Sequence, residues 1–351
     1  MGGASEADYT LKQPADLLTF QQGWHKTEGI TASADKFTTH MKVKVSSDWT
    51  LTSEYGEKLS YYFSDSQGGD PVTSWDFSAT ELHAEGGASR EVWAFLDDSI
   101  ELRPGNYDTI LTFLVSPIVD LSKLTADYTV KDGYTLTGIL PSDGWKITIA
   151  DGATVTLWSA DITSIPNDES HKYAGITCAG NVTLILFGDN KVKGGYEDYP
   201  GIFAAENSTL TIKGTGSLTA SSNKYGAGIG GGNEISCGNI EIQGGNITAT
   251  CAYYSAGIGS GYNQASCGNI TITGRTVEAT GGYGGAGIGS ATGAVCGAIT
   301  IASSVTSVTA TKGSESPNSI GAGHVAQCGT VTIGGVVGAI STSPYTYTPG
   351  N

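Results

Sequence analysis

Tyrosines recur in the second half of the chain, each two to four residues before a glycine that precedes an isoleucine. An aromatic ring can stack on the apolar face of a sugar while its phenol oxygen hydrogen-bonds a hydroxyl group. A column of such side chains therefore predicts carbohydrate binding along one edge of a repeat structure. The alternative is that the tyrosines stack on one another and only stiffen turns. The five tyrosines are Tyr173, Tyr199, Tyr225, Tyr254 and Tyr283, and Tyr253 and Tyr262 lie nearby.

Carboxylates do not recur in this way. Catalysis on a polysaccharide needs carboxylates at neighbouring positions, either to protonate a glycosidic oxygen or to hold calcium. From residue 134 onward the acidic residues are mostly single, and the close pairs, Asp168–Glu169 and Glu197–Asp198, fall in predicted turns. We therefore expect no catalytic residue and no cofactor. The alternative is a polysaccharide lyase or glycoside hydrolase that uses irregular turns between Asp161 and Glu206.

Cysteines form a second recurrent column, eight or nine residues after the repeated isoleucine. We expect their thiols to be free, buried and stacked, although neighbouring α-carbons in such a column lie within disulfide range and leave that alternative open. No Cys-x-x-Cys pair is present and the histidines lie elsewhere, so we expect no metal site. The column consists of Cys237, Cys267, Cys296 and Cys328.

A repeat that lengthens slowly must position these side chains. The isoleucine of each Gly-Ile or Ser-Ile step recurs at spacings of 26, 27, 29, 30 and 32 residues. Each unit holds three short apolar runs, rich in β-branched residues, with strand-like alternation and turn residues between them. Three strands per unit predict one coil of a parallel β-helix. The isoleucines are Ile176, Ile202, Ile229, Ile258, Ile288 and Ile320.

Two inward ladders of apolar side chains follow from aligning the units. We expect one to join the pairs Leu184 and Leu186, Leu210 and Ile212, Ile240 and Ile242, Ile270 and Ile272, Ile299 and Ile301, and Val331 and Ile333. We expect the other to join Leu218, Ile247, Val277 and Val308, with Ala220, Ala249, Ala279 and Ala310 two residues further on. Stacked residues of one type would pack closely along the axis.

The segment "AGIGGGNEISCGNIEIQGGNITAT" resembles repeats of secreted surface proteins of gut bacteria, and more broadly the right-handed parallel β-helix proteins of the pectate-lyase-like superfamily. The resemblance covers roughly residues 134 to 341. It implies a right-handed parallel β-helix, here of about seven coils, and a bacterial protein that is secreted or held at the cell surface. It implies little about activity, because this fold carries enzymes, adhesins and passive scaffolds.

Composition excludes two classes of partner. The formal net charge is −16, only three arginines occur and no basic cluster exists, so we expect no binding to nucleic acid or to an anionic membrane surface. No apolar run is long enough to cross a membrane. The start "MGGASEADYTLKQ" lacks the basic and apolar regions of a signal peptide. We expect a secreted protein from which the signal peptide has been removed; the alternative is a cytosolic protein.

The first 125 residues predict a separate all-β domain that precedes a parallel β-helix over residues 126–351. Expected strands are His40–Val45, Leu59–Ser64, Trp75–Ala79, Glu91–Leu96 and Asp108–Val115. The segment "LRPGNYDTILTF" resembles the tyrosine corner of immunoglobulin-like sandwiches, with Tyr107 as the corner residue. We therefore expect a β-sandwich, with a jelly-roll carbohydrate-binding module as the alternative.

This domain has two possible roles. It could cap the open first coil, whose unpaired strand edges would otherwise aggregate. It could instead bind a ligand itself. We expect Trp24, Trp49, Trp75 and Trp93 to be core residues rather than a platform for sugar rings.

These observations together predict a non-catalytic extracellular binding or adhesion protein. Its expected partner is a polysaccharide or a host or cell-surface glycan, bound along the tyrosine column without insertion into a membrane. A surface spacer that binds no specific ligand is the alternative from a different functional class. The sequence indicates no oligomeric state.

Overall fold

A computed structural model describes residues 9–12, 23–26, 30–34, 40–46, 49–53, 58–72, 74–77, 81, 88–96, 107–108 and 112–350. The chain divides into two compact units, Met1–Val119 and Asp120–Asn351. The predicted boundary between residues 125 and 126 falls shortly after this division. The chain is all-β with almost no helix, and one short 3₁₀ helix spans Leu121–Lys123.

The first unit consists of short antiparallel strands. Alternating burial within them follows the strand period of two: in Lys58–Ser64, Leu59, Tyr61 and Phe63 are buried while Lys58 and Ser60 are exposed. The strands are Tyr9–Lys12, Gly23–Lys26, Ile30–Ala34, His40–Ser46, Thr50–Ser53, Lys58–Ser64, Ser74–Phe77, Ala88–Arg90, Trp93–Leu96, Tyr107–Asp108 and Thr112–Asp120.

Two sets of strands supply the buried core of this unit. Leu59, Phe63 and Leu96 come from a five-stranded antiparallel sheet, and Val43 and Phe77 come from the antiparallel pair His40–Ser46 and Ser74–Phe77. The immunoglobulin-like sandwich stays a prediction. The predicted corner at Tyr107 involves residues 97–106, which lie outside the described residues.

The tryptophans of the first unit differ in their surroundings. Trp75 is buried in the core, with 4% of its surface exposed. Trp49 is half-buried and packs its ring on Tyr61 and Phe63, so it also belongs to this core. Trp24 and Trp93 are half-buried as well. The core role that we expected for these residues is therefore clearest for Trp75 and Trp49.

The second unit is a parallel β-solenoid of about six turns, rather than the seven coils predicted. Each complete turn contributes a first, a second and a third strand. The first strands form an eight-stranded parallel sheet: Tyr128–Val130, Ile147–Ile149, Ile176–Cys178, Ile202–Ala204, Ile229–Gly230, Ile258–Gly259, Ile288–Gly289 and Ile320–Gly321. The repeated isoleucines pair directly in this sheet and are fully buried, which confirms their common axis.

The second and third strands alternate buried and outward side chains. The second strands are Thr135–Ile139, Thr154–Ile162, Val182–Phe187, Thr209–Gly214, Asn239–Ile242, Ile270–Ile272, Ile299–Ile301 and Val331–Ile333. The third strands are Asp189–Lys193, Ser217–Ser221, Asn246–Thr250, Thr276–Thr280 and Ser307–Thr311. The end of the long strand Thr154–Ile162 takes the place of a third strand in its own turn, because it pairs with Asp189–Lys193. A short additional sheet in the later turns holds Ser266–Cys267, Val295–Cys296 and Gln327–Cys328.

Backbone register confirms both predicted ladders except at one step. The expected alignment paired Leu184 with Leu210, but the structure pairs Val182 with Leu210 and Leu184 with Ile212. The error is a shift of two residues. Because side chains alternate with a period of two, such a shift keeps the same residues facing inward, and the apolar pattern alone does not detect it.

The glycine that follows the repeated isoleucine in the last four turns is required by the backbone. Gly230, Gly259, Gly289 and Gly321 have φ between 132° and 138°, where other residues are strained. A Cβ atom added to Gly259 would lie 1.8 Å from the carbonyl oxygen of Gly289 in the next turn. Only glycine therefore permits successive turns to stack this closely.

The last turn is covered by chain that folds back on it. Val336–Val337 pairs antiparallel with Val331–Ile333, and Tyr345–Tyr347 pairs antiparallel with Ser307–Thr311. Ile340 forms an isolated antiparallel bridge with Ile320. The predicted solenoid over 126–351 therefore ends in a non-solenoid segment that the repeat pattern did not indicate.

Candidate functional site

Five tyrosines from three successive turns form one group, here named the tyrosine cluster: Tyr225, Tyr253, Tyr254, Tyr262 and Tyr283. Four of them lie in the segment between the third strand of one turn and the first strand of the next; Tyr262 follows the first strand Ile258–Gly259. Backbone hydrogen bonds stack these segments, from Tyr253 N to Lys224 O (3.1 Å) and from Tyr262 N to Tyr225 O (3.1 Å). The cluster therefore rests on the same turn-to-turn stacking as the strands.

Tyr254 is the centre of the cluster and contacts all four other rings. The rings of Tyr225 and Tyr262 are nearly parallel to it, at centroid distances of 6.2 and 5.0 Å. Tyr253 and Tyr283 meet it edge-on, at 4.4 and 5.4 Å. Its φ of 59° is a left-handed conformation that a bulky residue adopts rarely and at a cost.

Exposure separates the rings of the cluster. Tyr253 and Tyr283 are the outer pair, with 43% and 42% of their surfaces exposed and centroids 6.2 Å apart. Tyr225, Tyr254 and Tyr262 are half-buried. The outer pair is therefore available to a ligand, while the three inner rings mainly contact one another.

A lysine and a glutamate close the N-terminal end of the cluster. Lys224 Nζ lies 4.6 Å from the centroid of the Tyr225 ring and 2.9 Å from Glu197 Oε2. This carboxylate and then the Tyr225 hydroxyl raise the pKa of Lys224 above its ordinary value. Next to Glu197, burial raises the pKa of Asp198, and the Glu197 charge raises it further against a hydrogen bond from Asn233.

Tyr173 lies outside the tyrosine cluster, in an earlier turn. Its hydroxyl donates to the carbonyl oxygen of Gly144, and its ring packs edge-on to His171 at 5.8 Å. Burial, followed by the charges of Asp127 and Asp168, raises the pKa of Tyr173 to about 12. Its role in the structure is to tie one turn to the preceding one.

His171 has an acidic partner three residues away, although none was evident at repeat spacing. Its Nδ1 lies 2.7 Å from Asp168 Oδ1 and its Nε2 lies 3.0 Å from the carbonyl oxygen of Asp143. Two acceptors favour the doubly protonated ring. Burial lowers the pKa of His171, but these hydrogen bonds and the Asp168 charge outweigh it and leave the pKa above its ordinary value.

The predicted column is therefore divided. The structure brings together Tyr225, Tyr254 and Tyr283 and leaves Tyr173 and Tyr199 apart from them. Within the described part of the chain, Tyr199 is half-buried and makes no ring contact with the tyrosine cluster. The column predicted from sequence has Tyr253 and Tyr262 only nearby and lacks Lys224.

These residues differ in how many positions along the sequence they precede the glycine before the repeated isoleucine. Tyr173 and Tyr199 precede it by two residues, and Tyr225 and Tyr254 by three. Lys224, Tyr253 and Tyr283 precede it by four. The offset from this glycine, which varies from two to four residues, is therefore the signal that distinguishes three different positions.

Comparison with protein-family models, curated proteins and solved structures found no match.

No helix among the described residues is long and apolar enough to cross a membrane. No group of three or more His, Cys, Asp or Glu side chains among them converges in a way that could hold a metal ion. The arrangement that the site offers to a ligand is thus an ordered aromatic surface bordered by Lys224, Glu197 and Asp198.

Proposed function

We propose that this protein is a non-catalytic extracellular binding protein that recognises a polysaccharide or a cell-surface glycan, as an adhesin does. The observation that carries the proposal is the convergence of five tyrosines, two of them more than two-fifths exposed, on one part of the solenoid surface. Exposed rings offer apolar contact and a hydroxyl donor together, which is what sugar recognition requires.

Order in the tyrosine cluster supports binding beyond the type of residue. The outer rings of Tyr253 and Tyr283 are already held against Tyr254. A ligand would therefore lose less affinity to the ordering of side chains than on isolated surface tyrosines. The left-handed backbone of Tyr254 also fits, because strained residues concentrate at ligand sites.

Electrophoresis in native gels that contain a soluble polysaccharide tests the proposal. Neutral, acidic and basic polysaccharides would be compared in separate gels. We expect one class to retard the wild-type chain, and the double variant Tyr253→Ala, Tyr283→Ala to lose most of the retardation. Tyr134→Ala, which removes a half-buried tyrosine from an earlier turn, is the matched control and should migrate like the wild type.

Absence of retardation in every gel would contradict binding and favour the surface spacer. The near-parallel packing of Tyr225, Tyr254 and Tyr262 is the observation that favours this alternative, since rings that mainly contact one another stiffen turns. In that case the double variant Tyr253→Ala, Tyr283→Ala and the control Tyr134→Ala should each alter the stability of the chain without altering its migration.

A glycoside hydrolase is a second candidate, supported by the contrast between two adjacent carboxylates. Glu197 is paired with Lys224, while burial raises the pKa of Asp198. Carboxylates in such different environments can divide acid and base roles. The test is the release of reducing ends from the polysaccharide that retards the chain, and Asp198→Asn should abolish it. Retardation without new reducing ends excludes this candidate.

We also propose finer assignments for the two units. The solenoid is expected to be right-handed, because parallel crossover connections almost always are, and to belong with the pectate-lyase-like β-helices that its repeats resemble. The antiparallel strands and shared core of the first unit support an immunoglobulin-like sandwich. A secreted or cell-surface location in a bacterium follows from the same resemblance.

A further inference from the structure

Four cysteines occupy one column inside the solenoid, as the sequence predicts. Cys267 pairs in register with Cys296, and Cys296 pairs with Cys328. Cys237 joins the same column, because its backbone N–H donates to Ser266 O at 2.7 Å in the next turn. All four thiols are free; the first three are buried and Cys328 is half-buried.

Three of these thiols have the same orientation. Each sulfur lies near the carbonyl oxygen of the glycine that follows the preceding cysteine: Cys267 Sγ is 3.8 Å from Gly238 O, Cys296 Sγ is 3.9 Å from Gly268 O and Cys328 Sγ is 3.6 Å from Gly297 O. Equal orientation on paired strands keeps neighbouring sulfurs about one strand spacing apart, roughly 4.8 Å.

That spacing is too long for a disulfide and suits a bridging ion. A disulfide has an S–S bond of about 2.05 Å and Cβ atoms about 3.5–4.5 Å apart. Two collinear metal–thiolate bonds, each somewhat shorter than the roughly 2.3 Å of four-coordinate zinc thiolate, would span roughly 4.3–4.6 Å between the sulfurs. Two-coordinate linear geometry with thiolates is characteristic of soft cations such as Cu(I), for which thiolates are preferred ligands.

We propose that Cys296 and Cys328 bind one soft, two-coordinate cation of the Cu(I) class between their sulfurs. Cys328 is the half-buried member of the column and gives the ion a route to the pair. The site is separate from the tyrosine cluster and does not depend on the function proposed for it.

Binding must displace protons. The thiolate is the form of cysteine that binds a metal, whereas an ordinary cysteine is a thiol at neutral pH. The two S–H bonds break, two S–Cu bonds form and two protons leave to solvent, with no change in oxidation state. Zinc should bind poorly, because it requires four ligands in a tetrahedron and no group of three ligating side chains converges in the described residues.

The test is a titration of the full, reduced chain with Cu(I) under anaerobic conditions, against a competing chelator, with ultraviolet charge-transfer absorption as the readout. We expect saturable binding with release of about two protons per ion. Cys296→Ser and Cys328→Ser should each weaken it by about a hundredfold or more, since even indirect partners of a metal cost 10–100-fold. Cys178→Ser, which alters a buried thiol outside the column, is the matched control and should bind like the wild type.

Three results would overturn the inference. One is undiminished Cu(I) affinity in a Cys328→Ala variant that keeps the wild-type far-ultraviolet circular dichroism. The others are Zn(II) binding as tightly as Cu(I), and X-ray absorption that shows three or four sulfur neighbours around the bound copper. A thiol titration after exposure of the metal-free chain to air provides an independent check. Loss of two thiols that requires both Cys296 and Cys328 would mean that the sulfurs meet, which contradicts the spacing.

Discussion

Turn segments that precede the first strands hold tyrosines in both the earlier and the later turns of the solenoid, but the partners of these tyrosines differ between the two parts. In the earlier turns, Tyr173 and Tyr196 are each fixed by polar partners: Tyr173 by Gly144, and Tyr196 by Glu169 and the ammonium of Lys172, 5.3 Å from its ring. In the later turns, tyrosines contact mainly one another, with Tyr254 at the centre. The first arrangement is electrostatic and the second is aromatic.

The comparison shows that a repeated residue type does not imply a repeated role. The turn segments are stacked in both parts, but a shift of one or two residues relative to the repeated Gly-Ile step changes which partner each tyrosine contacts. Lys224 lies where the two arrangements join, paired with Glu197 and placed over the Tyr225 ring. We therefore expect the stability contributed by the earlier turns to depend on pH, and the stability contributed by the later turns to depend on side-chain packing.

The largest expected effect comes from separating the turns that carry the aromatic part. Gly259→Ala places a Cβ atom 1.8 Å from Gly289 O and should destabilise the solenoid by about 4 kcal/mol or more. Urea unfolding followed by circular dichroism measures the change. Gly335→Ala is the control, because its Cβ atom meets nothing within 4 Å and the variant carries only left-handed strain of about 1–2 kcal/mol.

The centre of the tyrosine cluster should give the next largest effect. Tyr254→Ala removes contacts with four rings and should lower the melting temperature by roughly 5 °C. Tyr254→Gly loses the same contacts but relieves the left-handed strain, so it should melt higher than Tyr254→Ala. In the electrostatic part, Tyr173→Phe loses one hydrogen bond and should change the melting temperature less. Equal effects of Tyr254→Ala and Tyr173→Phe would end the distinction between the two parts.

The electrostatic part should show a pH dependence that the aromatic part lacks. The pKa of His171 is raised on folding, so its stabilisation is complete below the ordinary histidine pKa and disappears as pH rises through the raised value. The pKa of Asp168 is lowered, chiefly by its hydrogen bond with His171, so the pair weakens again in acid as that carboxylate is protonated.

His171→Gln should therefore lower the melting temperature by about 2–4 °C near pH 6 and much less near pH 9. Thermal melts of the variant and wild type at several pH values measure this difference. His324→Gln alters an exposed histidine and should show no such trend. A constant difference between His171→Gln and wild type across the pH range contradicts the charged-ring assignment.

The smallest effect is expected at a strained turn beside the aromatic part. Val325 has a φ of 50° and is 81% exposed, an unfavourable conformation for a β-branched residue. Asn263, at φ 53°, shows which residue type suits such a turn. Val325→Asn should raise stability by about 1 kcal/mol in urea unfolding. Val336→Asn removes a similarly exposed valine without positive φ and should give no increase.

The solenoid could be predicted from sequence because its signal is local and repeated. Isoleucine spacing located the first strands, and alternation located the inward faces of the second and third strands. Alternation did not fix the register between the strands Val182–Phe187 and Thr209–Gly214, because a shift of two residues leaves the same side chains facing inward. The cysteine column was predictable for the same reason as the isoleucines, since each cysteine follows a repeated isoleucine by eight or nine residues.

The tyrosine cluster was predictable only in part. The type of residue and the segment were evident, but the contacts depend on small offsets that alternation does not constrain, because these residues lie in turns. The contact of Lys224 with the Tyr225 ring depends on side-chain conformation, and that of His171 with the carbonyl oxygen of Asp143 depends on the stacking of two turns. The covering segment after Ile333 has no repeat, and its antiparallel pairing depends on tertiary contacts.

The fold-back after Ile333 has a consequence for self-association. A stack of parallel strands exposes N–H and C=O groups that another molecule could extend indefinitely, as in a fibril. Here Val336–Val337 and Tyr345–Tyr347 occupy hydrogen-bonding positions on two faces of the final layer in the opposite strand direction. A second molecule therefore meets a reversed, already paired border there instead of a template for continued growth.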